Sequence, residues 1–161
     1  MVELVFHGVV GSGVGRHVDL HVPGREALAH AHCDWPLTLQ PGSLNIQIDG
    51  YPPQFTDKGL TANVSALDSA LFVPAFEILR NQFCNNMLTP VPSMPRRGDA
   101  QVWRAKIVTE VSEVGACWVL RRFGSGVGEQ LEFVADRRLR NDGLYDGQRV
   151  NAIIYGHWKE A

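Results

Sequence analysis

A two-residue alternation of apolar and polar side chains is the feature that most restricts the possible folds of this chain. It is clearest in residues 44–49, where Leu44, Ile46 and Ile48 alternate with polar residues. Side chains two apart point to the same face of a β-strand, so this segment predicts a strand with one buried and one polar face. The preceding Pro41-Gly42 pair predicts a turn at its start.

Further strands are predicted by runs of β-branched and aromatic residues and by shorter alternations. They cover residues 2–10, 18–22, 102–108, 116–123 and 149–155, the last after the turn pair Asp146-Gly147. Two short helices are predicted at residues 25–33 and 137–144, the second capped by Asp136. No strand–helix–strand repeat is present, which argues against a Rossmann-type sheet. The sequence therefore predicts a mainly β domain over residues 1–161, with six or seven strands in a closed or sandwich-like architecture.

The middle of the chain carries mixed signals. Residues 67–83 have the length of a helix, but Pro74 would break its hydrogen-bond ladder, so we predict an edge strand or a strand after a helical turn. Residues 54–66 have the composition of a loop. Residues 88–99 contain three prolines and the pair Arg96-Arg97, which predicts an exposed insertion loop, with a lid as one role for it.

Charge and composition limit the classes of partner. The 161-residue chain has a net charge of −2, so we expect no binding to nucleic acid or to a membrane surface, and a polyanionic ligand would need a local site. No apolar run approaches the roughly 20 residues that span a bilayer, and the first residues lack a signal-peptide pattern. An odd count of three cysteines predicts buried or half-buried free thiols and a cytoplasmic location. The sequence does not indicate the oligomeric state.

A glycine-rich segment, Gly11-Ser12-Gly13-Val14-Gly15, follows the first predicted strand and is followed by Arg16. Glycines allow close approach of the backbone to a ligand, and successive N–H groups can form an anion-binding nest. Arg16 adds a fork of donors that suits a phosphate. The segment lacks the lysine of a phosphate-binding P-loop and a following helix, so a bulged hairpin is the alternative interpretation. The same five letters recur at Gly124-Ser125-Gly126-Val127-Gly128, where coincidence is as good an explanation as a shared site.

Three further groups of polar residues are candidates for a site. Ser43 and Asn45 lie two apart on a predicted strand, and their side chains carry oxygens that Mg²⁺ accepts, although an ordinary polar face has the same pattern. Glu132 interrupts an apolar run and is either a solvated or paired carboxylate, or a group that binds a ligand or acts as a base on a hydroxyl. The segment Arg137-Arg138-Leu139-Arg140-Asn141 is a basic patch that suits a phosphate or a nucleobase, with a solvated helix face as the alternative.

Taken in order, these segments resemble the archaeal-type CTP-dependent riboflavin kinases. Members of that family have a G-x-G-x-G-R-like loop, a G-T-L-N strand, and an L-E-I-I-A-P-x-x-L-R segment that runs into D-G-D-x-V. This chain has Gly11 to Arg16, then Gly42-Ser43-Leu44-Asn45, then residues 131–140, then Asp146-Gly147-Gln148-Arg149-Val150. The order and approximate spacing of the four segments match across nearly the whole chain.

The resemblance implies a small, closed, six-stranded cradle-loop barrel that transfers a phosphoryl group from CTP to the riboflavin 5′-hydroxyl, with Mg²⁺, to give FMN. Carried over by position, the nucleotide would be held by Gly13, Val14, Gly15, Arg16, His17, Arg138, Leu139, Arg140 and Asn141. Ser43 and Asn45 would hold Mg²⁺. Glu132, the catalytic candidate, would contact the flavin together with Ser125.

The chain departs from the family pattern at several of these positions. Val14 stands where the family loop usually has an acidic residue, and the loop is one residue shorter. Asp136 replaces a proline and adds negative charge near the expected phosphates. Two alternatives to the kinase therefore stay open. One is a catalytically inactive nucleotide- or flavin-binding domain on the same barrel, and the other is a kinase for another small hydroxylated substrate.

Overall fold

The computed structural model describes residues 1–11, 43–83, 88–124 and 128–160. In these residues the long strands are β1 (Val2–Val10), β2 (Leu44–Gly50), β5 (Ala100–Val108), β6 (Glu113–Arg122), β7 (Gln130–Val134) and β8 (Arg149–Trp158). The short strands β3 (Phe72–Val73) and β4 (Phe76–Ile78) lie between β2 and β5 in the chain. The helical segments are α1 (Pro53–Asp57) and 3₁₀ helices at Val64–Ser69, Arg80–Gln82 and Leu139–Asp142.

Six antiparallel strands close into a barrel in the order β8-β1-β2-β7-β6-β5, because β5 also pairs with β8. The first and last strands of the chain are neighbours, with Val2 opposite Gly156. The short strands extend this sheet, β3 along β8 and β4 along β5. The prediction of a mainly β, closed, six-stranded barrel with short helices is confirmed.

The barrel interior is filled by apolar side chains from all six of its strands. Leu44, Ile46 and Ile48 belong to this core, as the alternation predicts, and Leu131 and Phe133 contribute from β7. A second apolar cluster lies on the opposite side of the sheet and includes Val102, Leu120 and other residues of β4 to β7. This cluster therefore covers part of the outer face of β4 to β7.

Most strand predictions are confirmed in this architecture. The strands predicted at residues 2–10 and 44–49 are present. Those predicted at 102–108 and 149–155 are extended at one end, and the one predicted at 116–123 covers residues 113–122. Pro74 separates β3 from β4, so the helix alternative for residues 67–83 is excluded and the 3₁₀ turn at Val64–Ser69 precedes the strands. Of the exposed loop predicted at residues 88–99, residues 88–95 are largely exposed turns, whereas residues 96–99 are half-buried or buried, with Arg96 stacked on Phe123. The strand predicted at 18–22 and the helix at 25–33 lie outside the described residues.

Two local predictions are wrong. Residues 54–66 are not a plain loop, because α1 begins at Pro53, directly after Pro52, and buries Phe55 completely. The helix predicted at residues 137–144 is a single 3₁₀ turn, Leu139–Asp142, which Gly143 ends at a φ of 93°. Asp136 does not cap it, since Arg138 occupies the position before the turn and makes no capping hydrogen bond with its side chain.

No helix in the described part of the chain is long and apolar enough to span a membrane.

Candidate functional site

The backbone of Gly11, where β1 ends and the first glycine-rich segment begins, joins three distant parts of the chain. Its N–H donates to the carbonyl oxygen of Asn45 on β2 at 2.8 Å. Its carbonyl oxygen accepts from Nη2 of Arg140 at 2.9 Å. A Cβ at this position would lie 3.2 Å from the Asn45 carbonyl oxygen, so glycine is the residue that fits most easily. We call this meeting point the Gly11 junction.

The turn before β8 completes the Gly11 junction. Val10 donates its N–H to the Gln148 carbonyl and accepts from the N–H of Gly147, both at 2.9 Å. Gly147 adopts a φ of 83°, which a glycine supplies without strain. Arg140 forms an ion pair with Asp146 of the same turn. The four segments that carry the resemblance to riboflavin kinases thus each contribute residues at or next to this junction.

Asn45 lies on the outer face of β2, directly opposite Glu132 of β7. Its side chain is only 8 % exposed, yet its Oδ1 has no hydrogen-bond partner among the described residues, and the same holds for Oγ of Ser43. An unsatisfied buried polar atom costs roughly 1–3 kcal/mol. Two such oxygens, one just before β2 and one on it, are hard ligands of the type that Mg²⁺ prefers, so their chemistry fits the metal that the resemblance implies.

Glu132 is half-buried, with Asn45 on one side and Leu120 of β6 on the other. Its position between apolar core residues of β7 is the one that the sequence predicts. The next pair along the same face is formed by Gln47 and Gln130, joined by a side-chain hydrogen bond of 2.8 Å. Asn45 and Glu132 therefore belong to a polar strip on the outside of β2 and β7.

The predicted basic patch is divided by the fold. Arg138 and Asn141 are exposed and Arg140 is half-buried, but the side chain of Leu139 lies in the barrel core, so only its backbone can reach a ligand. Arg137 binds the carbonyl oxygens of Gly115 and Ala116 at 2.8 and 3.1 Å and forms a forked ion pair with Asp142. The hydrogen bond that Arg137 donates to Asp142 raises the pKa of Arg137. Arg137 therefore ties this segment to β6.

The remaining predicted site residues, Gly13, Val14, Gly15, Arg16, His17 and Ser125, lie outside the described residues. The structure brings Ser43, Asn45, Glu132 and Arg140 together around the Gly11 junction. Arg138 directly precedes the 3₁₀ turn Leu139–Asp142, which contains both Arg140 and Asn141.

Two features were not assigned a role from the sequence. One is an open cleft of about 490 Å³ beside β5, β6 and β8, whose lining includes Arg104, Lys106, Trp118 and Tyr155. The other is Arg122, a buried arginine at the end of β6. A sequence signal for Arg122 exists, because it continues the alternation that places Trp118 and Leu120 on the outer face of the strand.

Among the described residues, no group of three or more histidine, cysteine, aspartate or glutamate side chains could hold a metal ion. This absence concerns only sites built from histidine, cysteine, aspartate or glutamate. Ser43 and Asn45 would instead supply a hydroxyl and an amide oxygen.

Comparison with models of known protein families found no match, and comparison with curated proteins found none either.

Proposed function

We propose that this protein binds CTP at the Gly11 junction and transfers a phosphoryl group to the 5′-hydroxyl of riboflavin, giving FMN, as a riboflavin kinase or a close relative. The observation that carries the proposal is the meeting of the four family-like segments at one point of a closed six-stranded barrel.

The residues of the proposed site divide into three roles. Ser43 and Asn45 would hold Mg²⁺ through their buried oxygens, and the metal would neutralise charge on the phosphate groups. Arg138 is exposed, two residues before Arg140 in the chain, and would pair with a phosphate. Arg140 fixes the start of the glycine-rich segment, because its guanidinium binds both the Gly11 carbonyl and Asp146.

Glu132 would act on the acceptor. Its carboxylate would take the proton of the 5′-hydroxyl while the hydroxyl oxygen forms a bond to the γ-phosphorus and the bond from that phosphorus to the bridging oxygen breaks, releasing CDP. The support for this role is its position next to Asn45, on the strand beside the proposed metal ligands. Most of the rate acceleration in phosphoryl transfer comes from positioning and charge neutralisation, so a small set of residues is sufficient.

A second candidate, binding of nucleotide or flavin without turnover, is favoured by the local charge. Residues 136–146 contain three arginines and three aspartates, so their formal charges cancel. Two of the arginines, Arg137 and Arg140, are already paired with Asp142 and Asp146. Less positive charge is then left for a triphosphate than the sequence pattern alone suggests.

The test is a thermal-shift and turnover screen of the purified protein with Mg²⁺, each nucleoside triphosphate, and riboflavin. The kinase proposal expects stabilisation by CTP and formation of FMN that depends on Mg²⁺. Stabilisation by nucleotide or flavin without FMN identifies the binding domain. Hydrolysis or transfer with another small hydroxylated acceptor, and none with riboflavin, indicates a kinase of different specificity. No response to any ligand rejects the nucleotide site.

A further inference from the structure

Arg122 lies at the end of β6 on the outer face of the barrel wall. It pairs across the sheet with Ala100 of β5 and continues the row of Trp118 and Leu120, which belong to the second apolar cluster. Its residue exposure is 9 %, and its guanidinium carbon lies 5.0 Å from the centre of the Phe83 ring. The charged group is therefore held in a covered, partly apolar environment.

The guanidinium of Arg122 lacks the partners that a buried arginine requires. Its Nε and Nη2 are buried and have no hydrogen-bond partner among the described residues, and no described carboxylate forms an ion pair with it. The neighbouring Arg121 shows the usual arrangement, with a forked pair to Asp68 at 2.7 and 3.0 Å. A buried, unpaired charge is costly, and stacking on one aromatic ring offsets only part of that cost.

A guanidinium offers a planar fork of donors, and its natural complement is a group with two or more acceptor oxygens and a negative charge. Asn45 lies on the same outer face, two strands from β6, but its unpartnered atom is Oδ1, an acceptor that does not bind an oxyanion. Glu132 lies between them, diagonal to Arg122 across the β6–β7 pair.

We propose that Arg122 anchors an oxyanion-binding site on the outer face of β6, which takes a phosphate group. The site goes beyond the proposed kinase activity, because its recognition chemistry needs neither Mg²⁺ nor a flavin. The phosphate is either inorganic phosphate or a phosphate of a bound nucleotide. Phe83 forms one wall by stacking on the guanidinium, and Gln130 of β7 lies on the adjoining strand at the edge of the same face.

The alternative is that Arg122 only packs against Phe83. The variant Arg122→Met separates the two interpretations, because methionine keeps most of the apolar length and removes the charge. Replacing a buried charge by an apolar side chain of similar size is commonly neutral or stabilising, so the ligand-free variant is expected to melt no lower than the wild type. Arg149→Gln is the matched control. It also removes one arginine, but from an exposed ion pair with Asp49 that joins β8 to β2, and neither of these strands pairs with β6.

The experiment measures melting temperature against concentration of inorganic phosphate, and separately of CTP without Mg²⁺, at constant ionic strength. We expect phosphate to stabilise the wild type and Arg149→Gln, with an affinity at least about tenfold weaker in Arg122→Met, as the loss of a charge-assisted hydrogen bond implies. Stabilisation by CTP alone, lost in the same variant, identifies the nucleotide as the source of the phosphate. Equal stabilisation of Arg122→Met and wild type, or no stabilisation of the wild type by either probe, overturns the proposal.

A second variant covers the case in which Arg122→Met does not fold. Arg122→Lys keeps the positive charge but loses the fork, so the phosphate affinity is expected to fall while the protein stays folded. An unchanged affinity in this variant contradicts recognition by the guanidinium. Because inorganic phosphate is tested without metal or flavin, this result is independent of the outcome of the FMN assay.

Discussion

At the scale of single residues, the most informative groups are polar side chains that are buried without a partner. Ser43, Asn45 and Arg122 each have a buried polar atom without a hydrogen-bond partner within the described residues. Asn45 belongs to the polar strip of β2 and β7, whereas Arg122 lies beside the second apolar cluster. A folded protein keeps few such groups, and a ligand is one of the reasons to keep them. Asn45 is the clearest case, because it lies next to both Gly11 and Glu132.

The variant Asn45→Ala is expected to abolish Mg²⁺-dependent binding of CTP while it changes the melting temperature little. The physical reason is that the Oδ1 atom makes no hydrogen bond within the described structure, so its removal breaks no bond and relieves a desolvation cost. Calorimetric titration with CTP and Mg²⁺ measures the first effect and a melting curve the second.

Asn151→Ala is the control for this prediction. Asn151 is also an asparagine in a barrel strand, but its Oδ1 is 2.7 Å from Nδ1 of His7, so the substitution removes a bond and should leave CTP binding unchanged. A large loss of stability in Asn45→Ala together with intact CTP binding would contradict the metal role.

At the scale of elements, the contact between β1 and β2 depends on a glycine. The register of this pair shifts between His7 and Gly8, which brings the backbone of β2 unusually close to β1. A Cβ on Gly8 would lie 2.3 Å from the carbonyl oxygen of Gln47, a distance that no packed side chain adopts. Gly8 is thus required by the approach of two strands, not by a turn.

Gly8→Ala is therefore expected to lower the free energy of unfolding by roughly 1–3 kcal/mol or more, because β2 must move away from β1. Gly115→Ala is the matched control, since a Cβ there meets no atom within 4 Å and the substitution should be nearly neutral. Urea unfolding of both variants measures the difference. If Gly8→Ala is as stable as Gly115→Ala, the close contact of β1 with β2 is not present in solution.

At the scale of the whole molecule, closure of the barrel shields groups that titrate in the unfolded chain. Burial is the main cause that raises the pKa of Cys117 to about 12, and burial followed by the hydrogen bond to Glu129 raises that of Tyr51 to about 12. Cys117 is 2 % exposed and donates its Sγ–H to the Ala105 carbonyl at 3.3 Å. The prediction of buried free thiols is confirmed for this cysteine.

Because of both pKa shifts, the free energy of unfolding depends on pH in the alkaline range. A group whose pKa is higher in the folded state contributes its full stability below the unfolded pKa and loses it as the pH rises through the folded pKa. Unfolded cysteine and tyrosine titrate near 8.5 and 10, so the urea midpoint is expected to fall progressively between about pH 9 and pH 12. The decline should be shallower in Cys117→Ala and in Tyr51→Phe. An equally steep decline in both variants would show that these groups do not cause it.

Local physics made several parts of this protein predictable. A strand with one buried face requires an alternation of period two. This alternation predicts the strands at residues 2–10 and 44–49 and the inward-facing residues of β2, and the structure has both. Pro74 excluded a helix because a proline lacks the N–H that a helix interior needs. Sequence signals failed where contacts decide the outcome, as at Asp136, where Arg137 reaches back to β6 and the expected helix shrinks to one 3₁₀ turn.

The arrangement of the candidate site depends on contacts that no local pattern encodes. Arg140 meets the Gly11 carbonyl across 129 residues of chain, and this contact exists only because β1 pairs with both β2 and β8. The burial of Arg122 likewise depends on Phe83, which follows the 3₁₀ helix Arg80–Gln82, and on the second apolar cluster, which includes residues of β4, β5 and β7. Alternation determines which face of a strand a residue occupies, whereas closure of the barrel determines which distant residues that face contacts.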